Sequence, residues 1–465
     1  MLKYMIAVAF GAIFCLSSFF VDKKPAAKTA RQNYEQYCSS CHGEKVEAFV
    51  DRKWQHGKEK SDLTKSITAG YPDLGMPTWS GILDEKEIAE MTDLILESLK
   101  NVDQYKFATK PTSNIFTSEG LTVKLDTVVS GLKSPWGLAF LPNGGMLVCD
   151  RSGEVYRVDN ANKKTKLTGG PTVLAEGQGG LLDVELHPQF AKNGLVYFSY
   201  SAVKQEEADK LSTTAVMRAK LVGDELTDQK IIFEALPYAK TRHHYGSRLQ
   251  FDRRNFLYIT VGDRGNEQQN PQSLERDGGK VHRLHDDGRI PADNPFVNAA
   301  KIRTSVYSYG HRNPQGMTLH PTTGAIWTHE HGPRGGDEVN IIKKSANYGW
   351  PVICYGINYD GKPITNLSAK EGMEQPLTYW LPSIAPSGMA FVEGSKYPGW
   401  KGNLLVGSLR FQYLNRCVVE GGKIVKQESI LKNIGRVRNI STGPDGYLYV
   451  SVEEPGYVFR LLPVL

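Results

Sequence analysis

The stretch SRLQFDRRNFLYITVGD, residues 247–263, places a short apolar run on each side of a turn-rich segment. Runs rich in β-branched and aromatic residues and bounded by Gly, Asn or Asp are typical of paired β-strands. The same arrangement occurs in five more places: WGLAFLPNGGMLVCD (136–150), LDVELHPQFAKNGLVYFSYS (182–201), GMTLHPTTGAIWTHEHG (316–332), SGMAFVEGSKYPGWKGNLLVGSL (387–409) and RNISTGPDGYLYVSVEE (438–454). Six like units leave about 57 residues for each, enough for a four-stranded sheet with its loops. We therefore expect residues 121–465 to form a six-bladed β-propeller rather than a pair of β-sandwiches.

The composition of the 465 residues, 40% hydrophobic and 23% charged, is that of a folded protein. The formal net charge of +6 is spread along the chain. A nucleic-acid partner is therefore not expected, because such binding requires a dense face of Lys and Arg. The six cysteines are too few and too scattered for a disulfide scaffold.

The N-terminus, MLKYMIAVAFGAIFCLSSFFVDKK, has one early lysine and then an apolar run. We interpret residues 1–30 as an export signal, with a retained membrane anchor as the alternative. A lipoprotein cysteine at Cys15 is disfavoured, because the residue lies in the middle of the run after Phe14. The rest of the chain is expected to be periplasmic, or membrane-anchored and facing the periplasm.

The stretch YCSSCHGEK, residues 37–45, contains Cys38 and Cys41 with His42 directly after them. A disulfide, a zinc knuckle, a thioredoxin-type redox pair and a haem are all conceivable here. The C-x-x-C-H spacing favours a c-type haem bound covalently to both thiols, with His42 as an iron ligand. Zinc is disfavoured, since no second Cys/His pair follows at the spacing of a zinc finger.

A methionine loop follows 34 residues after His42, where Met76 lies in the sequence GMPTW. Next comes a predicted helix with apolar residues at positions 88, 91, 95 and 99, a spacing of three and four. Met91 lies on that apolar stripe, where packing explains it, so we expect Met76 to be the second axial ligand. Residues 31–103 resemble a small class I cytochrome c. We assign 31–105 to this all-α domain and the polar stretch 106–120 to a linker.

Several stretches of the second part are too polar and too rich in glycine to be only propeller strands. They are EGQGGLLDVELHP (176–188), RHHYGSRLQFD (242–252), GHRNPQGM (310–317), HEHGPRGGDEVNI (329–341), NYGWP (347–351) and GRVRNISTGPDG (435–446). In order and spacing these motifs resemble the soluble aldose sugar dehydrogenases that depend on pyrroloquinoline quinone (PQQ). The resemblance covers residues 121–465.

The resemblance implies two catalytic residues. His244 matches the family's catalytic base, and a neutral imidazole can accept a proton near pH 7. Arg312 matches the arginine beside the reacting carbonyl of the quinone, where a fixed positive charge stabilises the charge that develops on hydride transfer. His243 stands where the family has Asp or Asn.

The resemblance also implies residues that bind the PQQ. They are Gln178, Asn313, Arg410, Arg436 and Arg438. The pair Arg436 and Arg438 matches a grip on the carboxylates of the cofactor, for which the planar guanidinium is suited. Arg410 stands where the family commonly has lysine.

Calcium is implied in two places. One Ca²⁺ would polarise the quinone and be held by the carbonyls of Gly332 and Pro333. A second, structural Ca²⁺ would use four further residues: Glu338, the Tyr348 carbonyl, Asp360 and Glu374.

These expectations combine into one function. The chain is predicted to oxidise an aldose with PQQ, to pass the electrons to its own haem c, and to deliver them to an external acceptor. Two alternatives are a Ca²⁺-dependent propeller hydrolase and a non-enzymatic docking platform with a passive electron carrier. The first would give the haem no role, and the second would give His244 and Arg312 no role.

Overall fold

The computed structural model describes residues 28–42, 46, 56–100, 113–359, 362–453 and 455–464. Most of the predicted leader and residues 106–112 of the predicted linker lie outside these residues. Within the described part, no helix combines the length and apolarity needed to span a membrane.

The N-terminal part is helical, as predicted. Its elements are α1 (Ala30–Asn33), a π-helical turn (Tyr34–Cys38), α2 (Ser39–His42), α3 (Lys60–Ala69), a 3₁₀ turn (Pro72–Leu74) and α4 (Glu85–Lys100). Thr29 caps α1 through two hydrogen bonds with Gln32. The Thr29 side chain accepts from the Gln32 N–H, and the Gln32 side chain accepts from the Thr29 N–H. The apolar stripe of α4 faces a core that includes Tyr34, Leu63, Ile67 and Trp79. Met91 is fully buried in that core, as its spacing predicts.

The remaining described residues form six antiparallel sheets. The chain enters them through β1 (Ile115–Ser118) and β2 (Leu121–Val129). The first sheet contains β3 (Pro135–Phe140), β4 (Met146–Asp150), β5 (Val155–Val158) and β6 (Lys164–Lys166). The second contains β7 (Leu181–Leu186), β8 (Leu195–Glu206), β9 (Asp209–Val222) and β10 (Glu225–Glu234). The third contains β11 (Leu249–Phe251), β12 (Leu257–Val261), β13 (Lys280–Leu284) and β14 (Val306–Tyr309). A single helical turn, α5 (Phe190–Asn193), lies between β7 and β8.

The other three sheets follow in chain order. They are β15 (Pro314–Leu319), β16 (Ile326–Glu330), β17 (Asp337–Ile341) and β18 (Thr378–Trp380); β19 (Pro386–Phe391), β20 (Leu404–Ser408), β21 (Leu414–Glu420) and β22 (Lys423–Ile430); and β23 (Val437–Thr442), β24 (Leu448–Val452) and β25 (Tyr457–Val464). A 3₁₀ turn, Pro398–Trp400, lies between β19 and β20. Each strand–turn–strand unit of the sequence forms the first two strands of one sheet.

The ring is closed by the N-terminal strands. β2 pairs with β25 from Thr122 opposite Val464 onwards, so that strands from both ends of the propeller share the last sheet. β1 adds a fifth strand to its edge, although residues 115–118 fall within the stretch interpreted as a linker. β2 thereby joins the start of the propeller to its last sheet, as in other propellers, whose sheet edges are short and protected.

The first strands of the six sheets line a central cavity of about 370 Å³, which confirms a six-bladed β-propeller. Near this axis lies the buried guanidinium of Arg248. It donates to Asp183 (3.1 Å), to the Gln315 carbonyl (2.6 Å) and to the Arg438 carbonyl (3.0 Å), and it lies 4.1 Å from the centre of the Trp136 ring. Since these residues belong to five different sheets, one side chain ties most of the ring together.

Candidate active site

The candidate residues converge on one end of the propeller. His244, Arg312 and Arg436 precede the first strands of three sheets, and Gln178 precedes the first strand of another. In a four-stranded antiparallel sheet, the loop before the first strand and the loop between the second and third lie at the same end. The loop around Gly332, between β16 and β17, therefore joins this group.

His244 is held by two hydrogen bonds in a left-handed backbone conformation (φ +54°). Its N–H donates to Gln178 Oε1 at 2.8 Å, and its Nδ1 lies 2.7 Å from Asp263 Oδ1. An ionised carboxylate can only accept, so Nδ1 carries the proton and the lone pair is on Nε2. The ring is thereby oriented and left in the tautomer that a general base requires.

Asp263 is 1% exposed and fully engaged. Its Oδ2 accepts from Trp350 Nε1 at 2.9 Å, and Oδ1 also accepts from the Gly265 N–H at 2.8 Å. Burial alone would raise the pKa of Asp263, but His244 and then Arg312 outweigh it and lower the pKa to about 2. The carboxylate is therefore ionised at neutral pH.

The pKa of His244 is lowered by burial first and by Arg312 second, and Asp263 only partly opposes them. His243 packs edge-on against His244, with 4.6 Å between the ring centres. Burial and the neighbouring His244 lower the pKa of His243 to about 3. Both imidazoles are therefore neutral near pH 7, which leaves Nε2 of His244 able to take a proton.

The guanidinium of Arg312 is held in place by backbone carbonyls and a tryptophan ring. Its Nη1 donates to the carbonyls of Gly332 (2.7 Å) and His331 (3.2 Å), and its guanidinium lies 5.3 Å from the centre of the Trp350 ring. Among the described residues, its buried Nε has no hydrogen-bond partner. A buried donor without a partner is costly and rare in folded proteins. A bound ligand with a hydrogen-bond acceptor next to Arg312 Nε would satisfy this donor.

Asn313, the next residue, also has a buried donor without a partner. Its Oδ1 accepts from the Gly246 N–H at 3.0 Å, on the loop that carries His244. Within the described part of the chain, its buried Nδ2 lacks an acceptor. Two unmet donors beside one another fit a flat ligand rich in carbonyl and carboxylate oxygens, such as PQQ.

Arg436 and Arg438 are brought together by Glu453, which sequence reasoning missed. Arg436 Nε donates to Glu453 Oε2 at 3.1 Å, and Arg438 Nε donates to Oε1 at 2.9 Å. Burial would raise the pKa of Glu453, but Arg438 and Arg436 bring it well below its usual range. Arg436 Nη1 also reaches the Leu409 carbonyl at 3.3 Å, which places the pair next to Arg410. The three arginines form one cationic wall.

The carbonyl proposed for a catalytic calcium is already in use. Gly332 and Pro333 are buried in the loop after β16, and the Gly332 oxygen accepts from Arg312. A carbonyl oxygen has a second lone pair, so this bond does not by itself prevent a cation from binding. Among the residues the structure describes, no three His, Cys, Asp or Glu side chains group as metal ligands.

Glu338, a candidate for the second calcium, lies beside Glu330 rather than beside the other candidates. Asn340 Nδ2 is 3.2 Å from Glu338 Oε2 and 3.5 Å from Glu330 Oε1. Burial, then Glu330, raises the pKa of Glu338 to about 8. A buried pair of carboxyl groups is the donor chemistry that a hard cation prefers, so this half of the site fits calcium.

Two of the other candidates lie near one another, because the Glu374 N–H donates to the carbonyl of Asn347, the residue before Tyr348. Tyr348 is buried, with its ring stacked on His311 and its hydroxyl donating to the Ile341 carbonyl. Glu374 forms an ion pair with Lys343 at 2.7 Å. Asp360 lies outside the described residues.

The haem candidates share one apolar cluster. Cys38 ends the π-helical turn, and it packs with Met76 against the core around Trp79. Met76 is fixed by two backbone bonds to Tyr71, of 2.8 and 3.1 Å. His42 ends α2, and Cys41 lies in the same helix, although its side chain is outside the described part. Cys38 and Met76 on one apolar core fit a haem.

Comparisons with known proteins agree with this geometry. Residues 132–460 match the family model described as glucose/sorbosone dehydrogenase, and residues 25–95 match that of cytochrome c oxidase, cbb3-type, subunit III. The aldose sugar dehydrogenase YliI of Escherichia coli is 44% identical over 351 residues, which are 74% of this chain and 93% of that protein.

Two solved structures extend the comparison. The apo form of the soluble aldose sugar dehydrogenase of Escherichia coli superposes with a TM-score of 0.70 at 40% identity, over 74% of this chain and all of that one. The PQQ-bound aldose sugar dehydrogenase of Streptomyces coelicolor gives 0.60 at 29% identity, over 74% of this chain and 98% of that one. Both likenesses concern the larger part of the chain.

Proposed function

The chain belongs to the glucose/sorbosone dehydrogenase family, and we propose that it oxidises an aldose at C1 with PQQ and passes the electrons to a haem c of its own. Family membership and the names of its relatives favour an oxidoreductase over the hydrolase and the docking platform. The observation that carries the proposal is the buried His244–Asp263 pair, 2.7 Å apart, beside the fixed cation of Arg312.

His244 takes the proton of the C1 hydroxyl on Nε2, while Asp263 keeps the proton on Nδ1 and stabilises the imidazolium that forms. PQQ, when bound, supplies the acceptor for the hydride. Arg312 offers a preorganised positive charge where negative charge develops. Asn313 Nδ2 and the Arg436/Arg438 pair orient the cofactor through its oxygens.

Calcium is proposed as the second component of this site. The carbonyls of Gly332 and Pro333 would hold it, and it would polarise the bound cofactor as a Lewis acid. A further calcium at Glu338 would neutralise the Glu330/Glu338 pair, in which burial first and Glu330 second raise the pKa of Glu338.

We propose that the haem is bound covalently through Cys38 and Cys41, with His42 and Met76 as axial ligands. A methionine ligand raises the potential of the iron, which suits an electron acceptor. Such a haem would supply a one-electron relay between the quinone site and an external acceptor. Haem attachment and the apolar start of the sequence support export to the periplasm, with or without an anchor.

The first test uses purified, haem-loaded protein with PQQ, Ca²⁺ and a panel of aldoses. Reduction of the haem that requires sugar and quinone together is expected. His244→Ala should abolish sugar-dependent reduction of an artificial dye and leave the haem absorbance unchanged. His285→Ala, which changes a histidine in the loop after β13, should retain activity. Turnover of the His244→Ala protein at the wild-type rate would remove this residue from the mechanism.

A further inference from the structure

The haem-binding loop lies directly on the loop of the catalytic histidine. The carbonyl of Asp73 accepts a hydrogen bond from the Arg242 N–H, two positions before His244. A Cβ built on Gly75 would lie 3.5 Å from Cβ of His243 and 3.7 Å from its Nδ1. Gly75 is the residue before Met76, and His243 is the residue before His244. The neighbours of the proposed haem ligand and of the proposed base are thus in van der Waals range.

Further contacts surround this point. The Arg334 guanidinium lies 5.5 Å from the centre of the Tyr37 ring, and Arg410 Nη2 lies 3.4 Å from Ser39 Oγ. Tyr359 of the propeller packs against the apolar core of the helical domain.

The propeller residues in these contacts belong to the candidate site or its rim. Arg334 follows Pro333, Arg410 is in the cationic wall, and Tyr359 interacts with Arg312. On the cytochrome side, Tyr37 and Ser39 flank Cys38. The face that carries the haem attachment therefore meets the propeller at its active site.

We propose that the loop 72–75 is the docking element that couples the haem to the quinone site, with the close approach of Gly75 to the His243 side chain as the electronic junction between them. This inference rests on the proposed function. The ring of His243 is inserted between His244 and Gly75, so that one imidazole bridges the catalytic loop and the chain segment bonded to Met76. An Asp or Asn at this position would not fill the same gap.

The electron balance is simple. Oxidation of one aldose to its lactone releases two electrons and two protons. The electrons cross the junction singly, each reducing one ferric haem, and an external one-electron acceptor reoxidises the haem between the two transfers. The proton taken by His244 is released to solvent. The hydrogen transferred as hydride is the second proton, and it is released to solvent once both electrons have been passed on. Docking makes both transfers intramolecular, which replaces a diffusional encounter by a high effective concentration.

The test is Gly75→Asn. Gly75 has φ +91°, a conformation that asparagine tolerates better than most residues. Its Cβ would already be in van der Waals contact with His243, so the amide group beyond it would crowd the His243 side chain and disfavour the docked arrangement. Gly372→Asn is the matched control, because Gly372 has φ +79° and no atom within 4 Å of a built Cβ.

Two readouts are expected to change in Gly75→Asn and not in the control. Hydrogen exchange at the Arg242 amide should become faster, because its bond to Asp73 is lost, and this readout needs no cofactor. Sugar-driven reduction of the haem should slow at least about tenfold, because the two domains are then held near one another only by the linker that joins them. Sugar-driven reduction of a dye should stay at the wild-type rate, because His244 and Arg312 are untouched.

Unchanged exchange at Arg242, or unchanged haem reduction, would overturn the proposal. If the wild-type protein reduced no dye with any sugar, the proposed function would fail, while the exchange experiment would still decide the docking. Should Gly75→Asn alter the haem absorbance, Arg334→Gln replaces it. Loss of the cation over Tyr37 should then speed exchange at Arg242 about two- to fivefold, and no change would again count against the docking.

Discussion

Replacing Asp263 by asparagine tests the catalytic assignment most directly. The carboxylate accepts from three donors: His244 Nδ1, the Gly265 N–H and Trp350 Nε1. An amide of the same shape brings its own NH₂ group into this set. If that group faces Trp350, two donors oppose one another and His244 loses its charged partner. If it faces His244, Nδ1 must become the acceptor, so the proton moves to Nε2 and the base is lost.

The expected magnitude follows from these contacts. A hydrogen bond to a charged group contributes about 1.5–3 kcal/mol, so loss of the carboxylate beside the imidazolium slows the reaction about 10- to 150-fold. A further loss arises because every Asp263→Asn molecule in which the proton of His244 lies on Nε2 is inactive. We therefore expect kcat to fall about 10²-fold or more.

The assay is dye-linked sugar oxidation at saturating aldose, Ca²⁺ and PQQ. Asp183→Asn is the control, because Asp183 is also a buried carboxylate but pairs with Arg248 and not with His244. That variant should lose thermal stability and keep its kcat. If kcat of Asp263→Asn stayed within about threefold of wild type, a loss of less than 1 kcal/mol, Asp263 would not be the partner that positions His244.

Three more predictions concern charge. Because burial and Arg312 lower the pKa of His244, the acid limb of kcat/KM should fall below pH 6.5; a limb above that value would contradict the assignment. Arg436→Leu should weaken PQQ binding about 10- to 150-fold in a cofactor titration, through loss of charged hydrogen bonds, and full retention would exclude its role. Arg248→Leu should lower the free energy of unfolding by about 3–5 kcal/mol, because Asp183 is left buried and unpaired. Replacing both Arg248 and Asp183 by leucine should recover much of the lost free energy of unfolding, and thermal melts of both variants would measure this.

The propeller could be predicted from sequence because its signal is local. Each strand–turn–strand unit contains its own apolar runs and its own turn, so stretches such as 247–263 identify their strands without reference to distant residues. The closing strand is different. β2 pairs with β25 across the whole length of the propeller, and nothing in residues 121–129 distinguishes a strand that begins the first sheet from one that completes the last.

The candidate site divides in the same way. His244 and Arg312 lie in glycine-rich motifs that stand out from the strands around them. Asp263, in contrast, ends an ordinary strand, and Glu453 ends another, so neither carries a spacing signal. Their importance arises only when folding brings them within 3 Å of His244 and of the arginine pair. Partners that act through three-dimensional proximity are invisible to a motif.

The charges of the site support the proposal that the haem and the quinone lie at the same end of the propeller. Arg410, Arg436 and Arg438 form the cationic wall, Arg312 adds a further positive charge to the site, and Glu453 neutralises only part of this charge. Such an excess costs stability in the empty protein and favours an anionic cofactor with carboxylates to share. Arg410 also reaches Ser39 beside Cys38. The wall that would bind the quinone thus continues into the contact with the cytochrome domain.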